Sequence, residues 1–345
     1  MGKLRKSVGE IGEFRLIDRI RKILPASRNR DLLVDIGDDT AVVRLDGRRA
    51  LLLTCDIQVE GRHFRFDQTT PYRVGRRAMA VNLSDIASMG GKPTYALVSL
   101  GLPADFPVES YDRLFEGMRD ELLPHGACII GGNLARTKEH LIVDVTLLGE
   151  ADLSRVLTRG GARAGDRIFV TGYLGASGAG LQALKAFGKK VPGKYREMVN
   201  RHVLPVPRVE LGRRISRSGV ASAMIDVSDG VAGDLHHVCT RSGVGAEIHE
   251  DSLPLPEHIG EIARKFGTSV LDLALHSGED YELLFTVPPG VSARRIRALP
   301  GGSGVPVTEI GRIVKREEGY CLVDSLGKKR PLTPAGWDHF RTTRG

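Results

Sequence analysis

Acidic residues recur where apolar segments of this chain give way to turns or glycines. Gly37-Asp38-Asp39 precedes one apolar segment and Asp56 follows another. Asp85 closes Asn82-Leu83-Ser84-Asp85, and Asp226 and Asp229 bracket Val227-Ser228 before Gly230. Any one of these alone reads as a turn or a helix N-cap. Five or more constrain the fold further, because carboxylates gathered at strand ends repel one another unless a cation sits among them. Hard oxygen ligands of this kind suit Mg2+, which commonly brings substrate phosphates with it.

With 345 residues the chain exceeds the size at which one core stops growing, so two domains are expected. Helical spacing of Phe14, Ile17, Ile20 and Ile23 predicts a helix over 13–24, stopped by Pro25. Residues 40–45 and 50–54 read as a hairpin around Asp46-Gly47. A long helix over 72–89 ends at Gly90-Gly91. A strand at 94–101, a helix at 108–123 and strands at 128–130 and 140–149 follow; the last is nearly all apolar and reads as central. Composition shifts at 162–166, where a second series begins with a strand over 167–171. Helices near 208–218 and 230–242 and strands near 223–225, 246–248, 282–287 and 305–311 continue it. The expected boundary falls near residue 150, giving domains 1–150 and 151–345 of α/β or α+β class, with no short-period repeat.

The formal net charge is +8, but it is spread over short runs such as 73–77 and 208–217. Aromatic residues do not interleave with those runs, which argues against nucleic-acid binding and for a solvated basic surface. No apolar run is long enough to span a bilayer, and the basic start has no apolar region behind it. A cytoplasmic protein with no membrane partner is therefore expected. Cys55, Cys128, Cys239 and Cys321 lie too far apart for a zinc or redox motif and read as reduced thiols.

The usual phosphate-binding signatures are missing: there is no G-x-x-x-x-G-K-[ST] loop and no protein-kinase motif set. Gly175, Gly178 and Gly180 follow a strand and open a helix, but their spacing is wrong for a dinucleotide loop. They read as small residues that let the helix pack closely on its sheet.

Several longer strings carry a resemblance. They are Gly12-Glu13-Phe14, Ile36–Asp39, Asp56 with Val59-Glu60-Gly61 and His63-Phe64, and the run from Ala80 through Asp85 to Met89-Gly90. Further along come Thr158-Arg159, Ile225–Gly230, Gly278-Glu279-Asp280-Tyr281-Glu282-Leu283-Leu284-Phe285 and Gly336-Trp337-Asp338-His339-Phe340. In this order, over nearly the whole chain, they resemble thiamine-monophosphate kinases of the PurM-like superfamily of ATP-using enzymes. The resemblance implies a PurM-like two-domain fold, with an N-terminal mixed sheet forming a dimeric barrel and a C-terminal α/β domain. It implies a homodimer with its sites in the cleft between domains. It also implies transfer of the ATP γ-phosphoryl group to thiamine monophosphate, directly and without a covalent nucleophile on the protein. Position by position, Asp39, Asp56, Asp85 and Asp226 resemble Mg2+ ligands, with Asp229 near a further ion and Thr54 and Cys55 offering side-chain or backbone oxygen. Gly132, Arg159 and Ser228 resemble ATP contacts. His63, Glu279 and Trp337 resemble the substrate site, where a carboxylate and an aromatic face suit a cationic thiazolium.

The chain departs from that family in three places. Gly131-Gly132-Asn133-Leu134-Ala135-Arg136 stands where the family has Gly-Gly-Asp-Thr-Thr-Arg, so a metal-ligand aspartate is Asn133, an oxygen donor without charge. Cys55 replaces a threonine, and its soft thiol is a poor Mg2+ ligand. Ser277 replaces a glycine. These departures keep two other readings open: a related enzyme with another acceptor, or a nucleotide-binding regulatory protein with impaired catalysis.

Overall fold

The computed structural model describes residues 7–25, 27–188 and 190–334, apart from the side chain of Phe14. Trp337 and the rest of 336–340 lie outside the described residues. The first half contains α1 (Val8–Ile11), α2 (Glu13–Ile23), β1 (Leu32–Val34), β2 (Ala41–Arg44), β3 (Arg49–Val59), α3 (Pro71–Ser88), β4 (Lys92–Leu102), α4 (Val108–Leu122), β5 (Cys128–Arg136) and β6 (Ile142–Asp152). Its strands form one sheet in the order β1-β2-β3-β6-β4-β5, antiparallel except for β4 and β5. The second half contains β7 (Arg167–Thr171), α5 (Ala176–Phe187), α6 (Arg196–Val203), α7 (Val209–Ser218), β8 (Ala223–Asp226), α8 (Val231–Ser242) and β9 (Gly245–His249). It continues with α9 (Ile259–Phe266), α10 (Val270–His276), β10 (Leu283–Val287), α11 (Ala293–Arg297), β11 (Val307–Val314), β12 (Tyr320–Val323) and β13 (Lys329–Pro331). These strands form a second mixed sheet, β13-β12-β9-β11-β7-β10-β8.

The two sheets share a core. Helices α3 and α4 cover one face of the first sheet, and α3 also packs on α7 and β8 of the second half. Leu52, Val98, Val145 and Leu147 meet Met79, Leu83 and Ile86 of α3 in a cluster that continues into Phe169, Met224 and Phe285. Strands β7, β8 and β10 are buried on both faces, so they are mostly apolar. The opposite face of the first sheet is open, with Ile57, Tyr95, Leu97, Ile130 and Leu134 exposed.

Three expectations change here. The hairpin strand expected to stop at Thr54 runs on to Val59, because it pairs with β6 in unbroken register as far as Val59↔Ile142. Asp56 therefore sits inside a strand. Strand β5 likewise continues through Gly131, Gly132 and Asn133 to Arg136, paired with β4. The glycines at the start of α5 do serve close packing, but against helices. A Cβ on Gly180 would lie 2.1 Å from the Met198 carbonyl oxygen of α6, and one on Gly175 would meet the backbone of α10.

Helices α3 and α4 touch backbone to backbone: a Cβ on Gly75 would lie 1.9 Å from Leu114 O, and one on Gly117 would lie 1.9 Å from Tyr72 O. Alanine favours a helix over glycine by about 1 kcal/mol. Overpacking against atoms that cannot turn away costs about 1–3 kcal/mol. Gly117→Ala is thus expected to lower stability by roughly 1 kcal/mol net, read as a lower urea midpoint at unchanged slope. A raised midpoint would show that the helices are not in backbone contact.

Candidate active site

A cleft of about 830 Å³ opens between the two halves. Asp38, Asp39, Thr54, Cys55, Asp56, Asp85, Arg159, Asp226, Ser228 and Asp229 line one part of it, and His63, Glu279 and Tyr281 another. Helix α3 gathers the acids. Its Asn82 accepts from Asp56 N at 3.2 Å, its Asp85 accepts the Thr54 hydroxyl of β3, and its Ser84 donates to Asp226 at the end of β8 at 2.6 Å. From the other side Arg159 donates Nε to Asp39 at 2.9 Å, while its backbone N–H meets the Asp38 carboxylate at 3.2 Å.

Crowding makes these carboxylates hard to ionise. Burial, then Asp144 and Asp39, lifts Asp56 to about 6. Burial, then Asp39, lifts Asp226 to about 8 despite the Ser84 hydrogen bond. Burial and the Asp39 charge lift Asp38 to about 6, and Asp85 is pushed well up by burial together with Asp56, Asp226 and Asp39. Such values describe a site short of positive charge. Asp39 Oδ2 is buried with no hydrogen-bond partner, an orphaned acceptor facing that shortage.

These donors fit Mg2+. Among the described residues no three His, Cys, Asp or Glu side chains stand close enough to form a ready-made metal set. An ion bound there would draw its remaining oxygen ligands from substrate phosphates and water, the usual habit of Mg2+.

The other part of the cleft is built by Gly278–Glu282, where three acids within four positions find different partners. Glu279 pairs with Arg77 of α3. Asp280 accepts from the backbone N–H groups of Gly175 and Ser177 at 2.6 and 3.0 Å, at the start of α5. Glu282 accepts from Arg208 Nε at 2.7 Å and from the Thr171 hydroxyl at 2.6 Å. Left-handed backbone at Gly278, Glu279 and Tyr281, with φ of 67°, 57° and 49°, produces this fan of directions. His63 Nδ1 accepts from Val59 N at 2.9 Å, which orients the ring within the cleft wall.

The chain thus brings together Asp39, Thr54, Cys55, Asp56, Asp85, Arg159, Asp226, Ser228, Asp229, His63 and Glu279. Gly132 and Asn133 do not line this cleft. They lie on β5, separated from β3 by β6 and β4, which is about 14 Å of sheet. Ser277 is also outside the lining; its hydroxyl donates to Leu273 O at 2.6 Å and its side chain fills the space beside Gly178. Sequence reasoning missed Arg77 and His202, which both meet Glu279. Arg77 and Arg208 fall in runs read as solvated basic surface, yet Arg77 is 3% exposed and Arg208 is buried against Glu282. The available signal was helical phase: Arg77 precedes Asp85 by eight residues, two i,i+4 steps along one face of α3.

Family models for AIR synthase related proteins match residues 37–151 (N-terminal domain) and 163–324 (C-terminal domain). A thiamine-monophosphate kinase of Aquifex aeolicus is 38% identical over 332 residues, covering 96% of this chain and 99% of that protein. The thiamine-monophosphate kinase of Escherichia coli K12 is 35% identical with the same coverage. A solved structure of AaThiL complexed with AMPPCP and TMP superposes with a TM-score of 0.84 at 36% identity, covering 98% of this chain and 100% of that one. The hydrogenase maturation protein HypE in complex with ATP, at 17% identity and a TM-score of 0.68 over 89% of this chain and 90% of that one, shares the fold.

The raised acids set a pH dependence. Unfolded aspartates titrate near about 3.9, whereas Asp56 and Asp226 stay protonated in the folded chain up to about 6 and about 8. The native state therefore binds more protons than the unfolded state in that window, and stability falls as pH rises. Thermal unfolding in EDTA should show a falling midpoint from pH 5 to 8. Asp226→Asn, whose amide oxygen still accepts from Ser84, should flatten that fall. A midpoint that rises with pH in the metal-free protein would contradict the crowding described here.

Proposed function

The chain belongs to the thiamine-monophosphate kinase family of AIR synthase related proteins, and from that premise we propose that its cleft transfers the ATP γ-phosphoryl group directly to thiamine monophosphate, giving thiamine diphosphate and ADP. It is a phosphotransferase with a phosphate acceptor. The observation that carries the reading is the convergence of Asp39, Asp56, Asp85 and Asp226 on one cleft that also holds His63 and Glu279.

The acceptor's phosphate oxygen is largely ionised at neutral pH, so no side chain must remove a proton from it. It attacks the γ-phosphorus while the bond to the β–γ bridging oxygen breaks, and that oxygen leaves on ADP. The difficulty is holding two anions in line. Arg159 offers a planar fork to phosphate oxygens, Ser228 adds its polar wall, and Glu279 faces the cationic thiazolium. Asp39, Asp56, Asp85 and Asp226 would hold Mg2+, with Thr54, Asp229 and the Cys55 carbonyl adjoining; when bound, the metal neutralises phosphate charge and aligns donor with acceptor.

The open apolar face of the first sheet supports a two-fold dimer, with the β5 edge covered by a second copy. In such a dimer we place Gly132 and Asn133 of one protomer at the cleft of its partner. The free cysteines and the phosphorylated, membrane-impermeant substrates support a cytoplasmic setting. Among the described residues no helix is long and apolar enough to cross a membrane.

Incubation with ATP, Mg2+ and thiamine monophosphate should yield thiamine diphosphate by chromatography, and EDTA should abolish it. Asn133→Asp should lower the Mg2+ concentration needed for half-maximal rate. Absence of product from both proteins would overturn the assignment. Asp85→Asn should reduce kcat/KM on the order of a hundredfold, and light scattering should report twice the 37.5 kDa chain mass.

A further inference from the structure

Glu279 is a non-glycine residue held in left-handed backbone at the cleft wall, and its neighbour-but-one Tyr281 is held the same way. Such a conformation persists only where its surroundings over-determine it. Two contacts do so here. Its own backbone N–H donates to Ser228 O at 2.7 Å. Its carboxylate is gripped from the other half of the molecule by Arg77, a buried guanidinium on α3. Arg77 is fixed at three points: Nε donates to Gln58 Oε1 at 3.2 Å, one terminal nitrogen donates to His202 O, and the other meets Glu279 Oε1. The second carboxylate oxygen lies 3.4 Å from His202 Nδ1, and that same nitrogen is 3.1 Å from Ser177 Oγ. Burial pushes the Glu279 carboxyl up, but Arg77, His202 and His63 more than offset this and hold it below the usual carboxylate range.

We propose that Arg77 is the positioning residue for acceptor recognition: by spanning the two halves it holds the Glu279 carboxylate aimed into the cleft, and so sets specificity for a cationic acceptor. This rests on the function proposed above. The geometry explains why an arginine is required. A guanidinium can reach Gln58, the His202 carbonyl and Glu279 at once because its donors diverge in one plane, whereas an ammonium concentrates its donors on a single atom. Without the grip, Glu279 is released to relax toward extended backbone, and its carboxylate turns away from the cleft. The hydrogen bonds by which Asn82, Ser84 and Asp85 hold Asp56, Asp226 and Thr54 do not involve Arg77, so nucleotide binding is left in place. Arg77 touches no reacting atom in this scheme.

The test is steady-state kinetics of the full-length protein with both substrates varied. In Arg77→Met the KM for thiamine monophosphate should rise at least about tenfold while the KM for Mg·ATP stays within about twofold. Arg77→Lys, which keeps the charge but not the three-way reach, should raise the acceptor KM by only about threefold. Arg77→Lys also decides the matter if Arg77→Met fails to fold by circular dichroism. An acceptor KM unchanged in a folded variant, or an equal rise in both KM values, would overturn the proposal while leaving the kinase assignment intact. A wild-type protein that makes no thiamine diphosphate would overturn the assignment itself, and the proposal with it.

Discussion

Helix α3 is buried for most of its length between two sheets, and everything in the cleft depends on how its polar side chains are satisfied there. A polar group taken from water without a partner costs about 1–3 kcal/mol or more. Arg77, Asn82, Ser84 and Ser88 are all buried on this helix, and Asp85 is nearly so. Ser88 bonds back to the Asp85 carbonyl within the helix, and the others reach three different places: Arg77 to Glu279 beyond α10, Asn82 and Asp85 to Asp56 and Thr54 on β3, and Ser84 to Asp226 at the end of β8. The apolar residues of α3 decide where it lies, and its polar residues then dictate which strand ends must come to it. The cleft follows from hydrogen bonds that the core helix requires.

That arrangement collects like charges, and the chain tolerates them by protonation. Asp39 is paired through one oxygen to Arg159, Asp226 is restrained by Ser84, and the remaining repulsion appears as carboxyls that keep their protons into the neutral range. The second half of the site uses a different device. In Gly278–Glu282 each acid has its own cationic or backbone partner, and the energetic burden is carried by left-handed backbone. One region is frustrated electrostatically and the other conformationally, and both sit beside the same opening.

Much of this was legible before folding. The aspartates announced themselves by position, because an acid at an apolar-to-glycine boundary stands out against the run it ends. The extent of β3 did not: Thr54, Asp56 and Gln58 interrupt the apolar pattern on the very face that packs toward α3, so the strand looked finished where its polar, functional part began. Arg77 was hidden for the opposite reason. It lies beside Arg73 and Arg76, and three arginines within five positions resemble a solvated face until the partner, Glu279, is brought from 202 positions away. Long-range pairing of that kind leaves no mark on local periodicity. Asn133 was visible as a departure, but its place on β5, away from the cleft of its own chain, follows from strand order, which spacing does not encode.

Arg159 ties the electrostatics to the proposed chemistry. Its guanidinium now donates to Asp39 through two nitrogens, leaving the second oxygen of that carboxylate buried and unpaired. One fork cannot serve Asp39 and a phosphate fully at the same time. On the proposed function, phosphate binding by Arg159 would expose a buried carboxylate to the repulsion of Asp56, Asp85 and Asp226, unless another cation took its place at Asp39. On the proposed function, nucleotide and metal would be coupled by that exchange, each removing the penalty the other would meet alone. A divalent ion arriving with its phosphates satisfies both conditions together, so acids too dispersed to form a metal cage on their own are suited to a site completed by the nucleotide.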